Sequence, residues 1–262
     1  MGLVVNNLKY KDYLDDISFR IGNNRIFGIY GDNSKYILDI INGDISDYSG
    51  NIQYDKNEIN ESFYKNNSSS IALIDSMPRF YTNKVEEEFR FNLQLRKVSG
   101  DYDKIIKKFI GLVNLKENIL GRSINTLSRS EKYLLTIAVN LSFGPEVILF
   151  KNYALGLDHK NMKILATIIN NLKEDHKLVI ITSNDTNILY QYTDETLLLD
   201  NNQVYKNGQT DKIFTSPEIM KGGIIPMPSI TKVTYLAKTK KSVKLSYHKD
   251  TRDIIKDIYK HV

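Results

Sequence analysis

Residues 127–158 read LSRSEKYLLTIAVNLSFGPEVILFKNYALGLD, in which a helix pattern runs directly into a strand pattern. Apolar side chains recur between Leu134 and Leu141 at the spacing of one helix face. Ser128 is a favourable N-cap residue, and Glu131 stands three positions later, as in a capping box. The run EVILF that follows is short and apolar, which predicts a buried strand.

The same alternation continues on both sides of this stretch. RIFGIY predicts a strand before the helix pattern SKYILDIIN, and the helix pattern NMKILATIINNLKED stands before the strand pattern KLVIITSN. Residues 84–115 have helical periodicity, GLVVNNLKY and ISFRI predict short strands, and ETLLLDNNQVYKNGQ predicts a hairpin that turns at DNNQ. Strands that alternate with helices predict an α/β fold with a largely parallel, covered sheet.

Composition narrows the class of protein. The 262-residue chain has 41% hydrophobic and 26% charged residues, which is typical of a globular protein. It has no cysteine, which excludes disulfides and thiolate metal sites, and its four histidines lack metal-ligand spacing. No apolar run reaches the roughly 18–20 residues of a membrane span, so we expect a cytoplasmic protein.

The C-terminal part differs from the rest of the chain in its charge and in its sequence pattern. Residues 221–262 carry ten basic residues against three acidic ones, and the pattern from Pro226 predicts two short helices. A basic tail can bind nucleic acid, but a solvated helix face is the simpler interpretation. The tyrosines of this part are spaced too widely for the aromatic and basic interleaving of a single-strand binder. We therefore do not expect a nucleic-acid partner.

Taken in order, several segments resemble the motifs of ABC-type ATPases. The stretch 127–158 resembles their signature helix, Walker B strand and D-loop, and FGIYGDN resembles the start of Walker A. IDSMPRFYTNKVEEEFRFNL resembles their Q-loop region, and VIITSND resembles their switch region. Within the superfamily, KVEEEFRFNL and PMPSITKVTYLAK look most similar to the ATPase subunits of energy-coupling-factor transporters.

The resemblance implies a P-loop NTPase-like ABC nucleotide-binding domain over residues 1–225. Such a domain has a mixed sheet, an antiparallel N-terminal subdomain and a helical signature subdomain, here at about residues 84–142. Residues 226–262 would form a small basic helical appendage.

The Walker A-like segment departs from the family. Its residues are Gly28, Gly31, Asp32, Asn33, Ser34, Lys35 and Tyr36. A P-loop needs glycines whose amides wrap the phosphates, a lysine for the β- and γ-phosphates and a hydroxyl for Mg²⁺. The loop is about three residues shorter than that pattern, Lys35 comes too early, and Tyr36 stands where a hydroxyl ligand is expected. Ordinary nucleotide binding is therefore not expected.

The positions that would contact metal and water are also replaced. The resemblance places Lys151 and Asn152 at the two Walker B carboxylates, Asn184 at the switch histidine and Ser76 at the Q-loop glutamine. An ammonium repels Mg²⁺, and Lys151 would pair either with a phosphate or with an acidic neighbour. Asn152 can position water but cannot accept its proton. We expect no intact catalytic residue and no metal site.

The signature-like segment comprises Leu127, Ser128, Arg129, Ser130 and Glu131. Arg129 and Ser130 replace the family's glycines, so added side chains obstruct close backbone approach. Arg129 binding phosphate directly is an alternative that the sequence leaves open. In contrast, the D-loop-like residues Gly156, Leu157 and Asp158 are retained, and in the family they lie at a dimer seam.

These observations favour a pseudo-ATPase that acts as a structural or regulatory subunit of a membrane-associated, energy-coupling-factor-like transporter complex. The expected partners are a membrane subunit that docks at residues 76–92, a homologous ABC ATPase subunit, or a second copy in a homodimer, at the inner face of the cell membrane. One alternative is an atypical ATPase that binds ATP and Mg²⁺ through Asp32, Asp158 or Asp185. The other is a soluble regulatory or nucleic-acid-associated protein that uses the fold. The transported substrate cannot be read from the sequence.

Overall fold

The computed structural model describes residues 2–153, 157–241 and 245–261. Its strands are β1 (Gly2–Tyr10), β2 (Leu14–Gly22), β3 (Ile26–Tyr30), β4 (Ser49–Tyr54), β5 (Asn57–Glu58), β6 (Ile71–Asp75), β7 (Val147–Lys151), β8 (Leu178–Thr182), β9 (Glu195–Asp200) and β10 (Gln203–Gln209). Its α-helices are α1 (Ser34–Asn42), α2 (Glu61–Asn66), α3 (Val85–Leu95), α4 (Tyr102–Leu112), α5 (Arg129–Ser142), α6 (His159–Glu174), α7 (Thr186–Tyr192), α8 (Thr210–Phe214), α9 (Pro217–Met220), α10 (Ser229–Lys241) and α11 (Thr251–His261). Short 3-10 turns lie at Glu117–Ile119 and Ile124–Thr126.

The strands form two sheets. An antiparallel sheet has the order β2-β1-β4-β5, and a six-stranded sheet has the order β10-β9-β3-β8-β7-β6. In the larger sheet β9, β3, β8, β7 and β6 run parallel, and only β10 is antiparallel to its neighbour. The predicted α/β class, the mixed sheet and the antiparallel N-terminal sheet are confirmed.

The central strands are apolar because both faces of the sheet are covered. All five residues of β8 and the first four of β7 are buried, as expected for parallel strands between helical layers. The predicted hairpin of β9 and β10 is confirmed. Asn201 and Asn202 at its tip have φ angles of 47° and 65°, the positive values that a type I′ turn requires.

The helices α3, α4 and α5 pack together on one side and supply much of the larger hydrophobic cluster. The predicted capping box of α5 is present. The backbone N–H of Glu131 donates to Ser128 Oγ over 3.2 Å, and that of Ser128 donates to Glu131 Oε2 over 2.8 Å. Two N-terminal amides of α5 are thereby satisfied within the chain.

The C-terminal helices α10 and α11, both predicted, are attached to the rest of the molecule by specific contacts. Lys249 Nζ donates to the carbonyl oxygen of Thr193 over 2.7 Å and lies 3.3 Å from Asp211. The buried hydroxyls of Thr193, Thr196 and Thr210 bond one another at 2.8–2.9 Å beside this contact. Within the described residues, no helix has the length and apolarity to cross a membrane.

Candidate functional site

The parallel strands β3, β7 and β8 end at the same edge of the sheet, and the motif-like residues follow them. The loop after β3 contains Asp32, β7 ends at Lys151, and Asn184 follows β8. Asn184 Nδ2 donates to Asp32 Oδ1 over 2.8 Å. The fold thus brings the Walker A-like and switch-like positions into direct contact, although they are 152 residues apart.

The loop between β3 and α1 has only three residues, and hydrogen bonds hold it closed. Gly31 has a φ of +128°, and a Cβ there would lie 2.9 Å from Leu199 Cβ. The amide of Ser34 donates to the carbonyl of Gly31 at 3.0 Å, and that of Tyr36 donates to the carbonyl of Asn33 at 3.1 Å. These are amides of the first helical turn, which in a P-loop face the phosphates. Here they are used within the chain.

Side chains complete this closure. Asn33 Nδ2 donates to Asn202 Oδ1 at 2.6 Å, which ties the loop to the β9–β10 turn. The Tyr36 ring stacks on Tyr13 with centroids 4.6 Å apart, and Lys35 Nζ lies 5.0 Å from the centre of the Tyr36 ring. Lys35, the lysine of the Walker A-like segment, and Tyr36, which stands where the Mg²⁺ ligand is expected, therefore both make other contacts within the chain.

Gly28 lies within β3, before the loop. A Cβ at this position would lie 2.7 Å from Thr193 Cγ2 and 2.9 Å from Leu189 Cδ2. The absence of a side chain at Gly28 therefore permits close packing between β3 and α7.

The cavity beside the loop is acidic. It has a volume of about 360 Å³ and is lined by Tyr30, Gly31, Asp32, Asn33, Leu199, Asp200, Asn201, Asn202, Ile224 and Ile225. Two of these residues are carboxylates, and neither lysine nor arginine lines it among the described residues. Such a surface disfavours a phosphate.

Lys151 forms an ion pair that the sequence analysis did not identify. Its Nζ lies 2.7 Å and 2.9 Å from the two carboxylate oxygens of Asp39, and 3.7 Å from Asp75. The side chains of Lys151 and Asp39 are only 18% and 14% exposed. Burial raises the pKa of Asp39, and the ammonium of Lys151 partly offsets this by favouring the charged carboxylate. The sequence left two partners open for Lys151, a phosphate or an acidic residue. In the structure Lys151 pairs with the acidic residue Asp39.

The Lys151–Asp39 pair lies away from the loop between β3 and α1. Asp39 is five residues after the first residue of α1, which corresponds to about 7.5 Å along the helix axis. It interrupts the buried apolar stripe Ile37, Leu38, Ile40 and Ile41. A carboxylate inside an apolar stripe usually has a charged partner. The position of Asp39 in this stripe was therefore the signal in the sequence that could have revealed the ion pair.

The other catalytic positions have structural contacts. Asn152 has a φ of 51°, and its backbone N–H donates to Thr182 Oγ1 at 3.0 Å. Ser76 is buried, its amide donates to the carbonyl of Lys151 at 3.3 Å, and its hydroxyl lies 3.4 Å from Asp75 Oδ1. Neither side chain can accept a proton from water at neutral pH.

Mg²⁺ does not fit the residues present. No group of three or more acidic or histidine side chains in the described part of the chain is arranged to hold a metal ion. Of the alternative ligands, Asp158 and Asp185 are N-caps that accept from the amides of Asn161 and Asn187 at 2.9 Å and 2.8 Å. The third, Asp32, accepts from Asn184. Each of these three aspartates therefore already accepts a hydrogen bond within the chain.

The signature-like segment is also internally satisfied. Leu127 is buried and Ser130 partly buried, while Arg129, the first residue of α5, is exposed. Hydrogen bonding from the backbone of Ser128 lowers the pKa of Glu131, with a smaller contribution from Arg122. By the family resemblance, the N-terminus of α5 would face a phosphate bound by a partner subunit. Here that helix end already carries the carboxylate of Glu131.

The seam-like residues are only partly described. Gly156 lies outside the described residues. Leu157 packs against the larger hydrophobic cluster, and Asp158 caps α6.

A larger cavity, of about 640 Å³, is lined by both residues of the Lys151–Asp39 pair. It is bounded by α1, the segment 77–81, α3 and α5. Met77 and Tyr81 on its rim are 70% and 76% exposed, and Tyr81 lies 5.2 Å from the ring of the exposed Phe91. This is the region 76–92 for which the resemblance predicts a membrane partner.

Comparison with known proteins identifies the family of the chain. The family model described as ABC transporter matches residues 14–152, more than half of the chain. The chain belongs to the ABC transporter family. Among curated relatives of this family member, the energy-coupling factor transporter ATP-binding protein EcfA of Malacoplasma penetrans is 25% identical over 244 residues, or 90% of this chain and 83% of the relative. EcfA2 of Acetivibrio thermocellus is 25% identical over 229 residues, or 84% of this chain and 81% of the relative.

Solved structures give the same fold. The structure of cbiO1 from Clostridium perfringens, described as part of the ABC transporter complex cbiONQ, superposes with a TM-score of 0.71 at 19% identity. The match covers 88% of this chain and 98% of that structure. The predicted fold and family are therefore confirmed.

Proposed function

We propose that this ABC family member is a structural or regulatory subunit of an energy-coupling-factor-like transporter complex and does not hydrolyse ATP. The observation that carries the proposal is the Lys151–Asp39 ion pair. Lys151 occupies the position of the metal-binding carboxylate, and its partner holds it beside α1. The ammonium of Lys151 is already paired with two carboxylates, Asp39 and Asp75, and it repels a divalent cation placed beside it.

The phosphate loop supports the same proposal. Catalysis of phosphoryl transfer depends on positioning and on electrostatic stabilisation by amides, a lysine and metal ions. In the three-residue loop, two first-turn amides are bonded internally and Asp32 stands at the mouth. Restoring the Walker B residues alone would not supply these groups.

The proposed role in a complex rests on the large cavity and its exposed apolar rim. Large apolar side chains that lie exposed next to one another, as Met77, Tyr81 and Phe91 do here, are typical of a protein-binding site. We propose that residues 76–92 dock a membrane subunit, which would hold the chain at the inner face of the membrane, and that a second ABC subunit or a second copy pairs through the seam-like residues. In this arrangement residues 1–225 are the ATPase-like unit, and residues 226–262 are the basic appendage.

Thermal unfolding with ATP tests the proposal. A ligand at a hundredfold excess over its dissociation constant stabilises a protein by about 2.7 kcal/mol. That would raise the midpoint by about 5–10 °C for a chain of this size. We expect no shift with millimolar ATP, with or without Mg²⁺. A shift in the full chain that Lys35→Ala removes, together with phosphate release, would overturn the proposal.

A further inference from the structure

The C-terminal appendage holds α7 at both ends. Near the start of α7, the side-chain oxygen of Asn187 accepts the backbone N–H of Ser229, the first residue of α10, at 2.7 Å. After its end, the carbonyl of Thr193 accepts Lys249 Nζ, which stands two residues before α11. The helix α7 itself begins two residues after the switch-like Asn184. The hold of the appendage on α7 therefore reaches the segment that follows β8.

Between these two contacts the helices leave a cavity of about 290 Å³. Its walls are the ring of Tyr190 on α7, Ile230 and Val233 on α10, and Ile254 on α11. Val233 is 54% exposed, so a molecule can enter beside it. An apolar cavity of about 150 Å³ can hold a benzene molecule, so the space here is sufficient for two fused rings.

One buried hydroxyl in this cavity lacks a partner. Tyr190 is 1% exposed and lines the cavity, and its hydroxyl makes no hydrogen bond within the described part of the chain. Burial raises the pKa of Tyr190 to about 12, with a smaller contribution from Asp211, so the hydroxyl stays neutral. A buried tyrosine hydroxyl usually has a hydrogen-bond partner, which a ligand can supply here. The other uncharged polar residues of the lining are exposed and can bond water: Asn187, Gln191, Ser229 and Thr251.

The cavity has no free charge to offer a ligand. Among the described residues, Lys249 is the one charged residue of the lining. Its ammonium already donates to the carbonyl of Thr193 and lies 3.3 Å from Asp211. An ionised ligand would lose its hydration without gaining a new partner of opposite charge. The cavity therefore favours a neutral molecule.

We propose that the cavity between α7, α10 and α11 is a binding site for a neutral molecule with two fused rings and one hydrogen-bonding group. The rings pack between Tyr190, Val233 and Ile254, and the polar group bonds the hydroxyl of Tyr190. Such a molecule contacts all three helices at once, so its binding stabilises the attachment of the appendage to α7. This role goes beyond the function proposed above and does not depend on it.

Three probes with one ring frame test the site on the full chain. Indole is neutral and carries one N–H, indole-3-acetate is an anion, and tryptamine is a cation. The chain has no tryptophan, so the fluorescence anisotropy of each probe reports its own binding. We expect indole to bind saturably with a Kd of about 1 mM or below, and the charged probes to bind about tenfold or more weakly. Equal binding of all three probes, or no saturable binding of indole, would overturn the inference.

Matched substitutions locate the bound probe. Val233→Phe fills the cavity from its exposed side and should weaken indole about tenfold or more. Leu236→Phe adds a ring one turn further along α10, outside the cavity, and should leave binding unchanged. Tyr190→Phe removes only the unpaired hydroxyl, so it should weaken indole several-fold without lowering the melting midpoint. Equal losses in the two α10 variants, or full binding in Tyr190→Phe, would place indole elsewhere and contradict the proposal.

A second readout uses the unsubstituted chain. The ¹³C methyl resonances of Ile230 and Ile254 should shift as indole binds, and those of Ile52 in the N-terminal sheet should not. The backbone amides of α7 should exchange more slowly with solvent deuterium when indole is bound. Shifts at Ile52 as large as those at Ile254, or unchanged exchange in α7, would overturn the inference. The ATP melting experiment decides the loss of hydrolysis separately.

Discussion

Replacing Lys151 with Met removes the ammonium from Asp39 and keeps a side chain of similar length. At the observed separations of 2.7 Å and 2.9 Å, the gross attraction is about 6 kcal/mol for an effective dielectric constant of 20. Desolvation of both ions offsets most of it, but loss of one partner leaves a buried charge uncompensated, at a cost of about 3–5 kcal/mol in buried pairs. Because this pair keeps some contact with water, we expect Lys151→Met to lose about 2–3 kcal/mol and about 4–10 °C in midpoint.

The pH dependence of the free energy of unfolding distinguishes Lys151→Met from the wild type more sharply than the loss of stability alone. The pKa of Asp39 is raised by burial and lowered by Lys151, so removal of the ammonium raises it further. Between the ordinary value of 3.8 and the raised value, the folded variant holds a proton that the unfolded chain does not. Its stability must therefore increase as the pH falls. Urea unfolding at pH 8, 7, 6 and 5 should show the defect of Lys151→Met shrinking toward low pH, with a smaller slope for the wild type.

The double variant Lys151→Met, Asp39→Leu is the control. Replacement of both ions by apolar groups should recover most of the lost stability, and it should remove the pH slope of the single variant. The reasoning would be refuted if Lys151→Met lost less than about 0.5 kcal/mol, the range of ordinary surface substitutions. A double variant as unstable as the sum of the two single variants would refute it equally.

Four further outcomes are expected. Lys151→Asp with Asn152→Glu should release no phosphate from ATP, since the loop still has only three residues and the amides of Ser34 and Tyr36 stay bonded within the chain, and measurable turnover would contradict the weight given to that loop. Gly28→Ala should lose about 1–3 kcal/mol by overpacking. Gly111→Ala in α4, where a new Cβ meets nothing within 4 Å, should gain about 0.5–1 kcal/mol in the same denaturation assay. Glu131→Gln should cost about 0.3–1 kcal/mol at neutral pH. Because the pKa of Glu131 is lowered, that loss should be complete above pH 4.5 and fade as the pH falls through the folded value, and a constant loss down to pH 2 would contradict this assignment.

Periodicity predicted the larger elements of the fold well. The segment VEEEFRFNLQL coincides with α3, and the hairpin at 195–209 coincides with β9 and β10. α3 and β10 each turn one face to the protein, so the spacing of their side chains reports that face, whereas β9 has four consecutive buried residues and shows as an apolar run. The capping box at Ser128 was predictable for a different reason, since both of its partners lie within four residues of each other.

Short elements were not predicted. The strand β5 has two residues and the helices α8 and α9 have five and four, which is too few to show a period. Their conformation depends on neighbours elsewhere in the chain, as where the amide of Thr210 donates to the carbonyl of Asp194.

The contacts of the candidate site could not be predicted from the sequence, because they join residues that lie far apart in the chain. Lys151 and Asp39 are separated by 112 positions, and Asn184 and Asp32 by 152. The sequence indicated that Lys151 needed an anion but not which one. The stack of Tyr13 on Tyr36 likewise depends on the turn between β1 and β2 lying over the start of α1. Composition and spacing identify which residues are unusual, and only the fold supplies their partners.

The Lys151–Asp39 pair also constrains how the lineage of this chain can change. If Lys151 alone were replaced by aspartate, three carboxylates would meet where one ammonium now lies between Asp39 and Asp75. That single substitution would destabilise the chain. If Asp39 became neutral first, Lys151 would keep only the longer contact with Asp75, at 3.7 Å. Each order of substitution therefore passes through a less stable protein, so the pair hinders any exchange of Lys151 for a carboxylate in single steps.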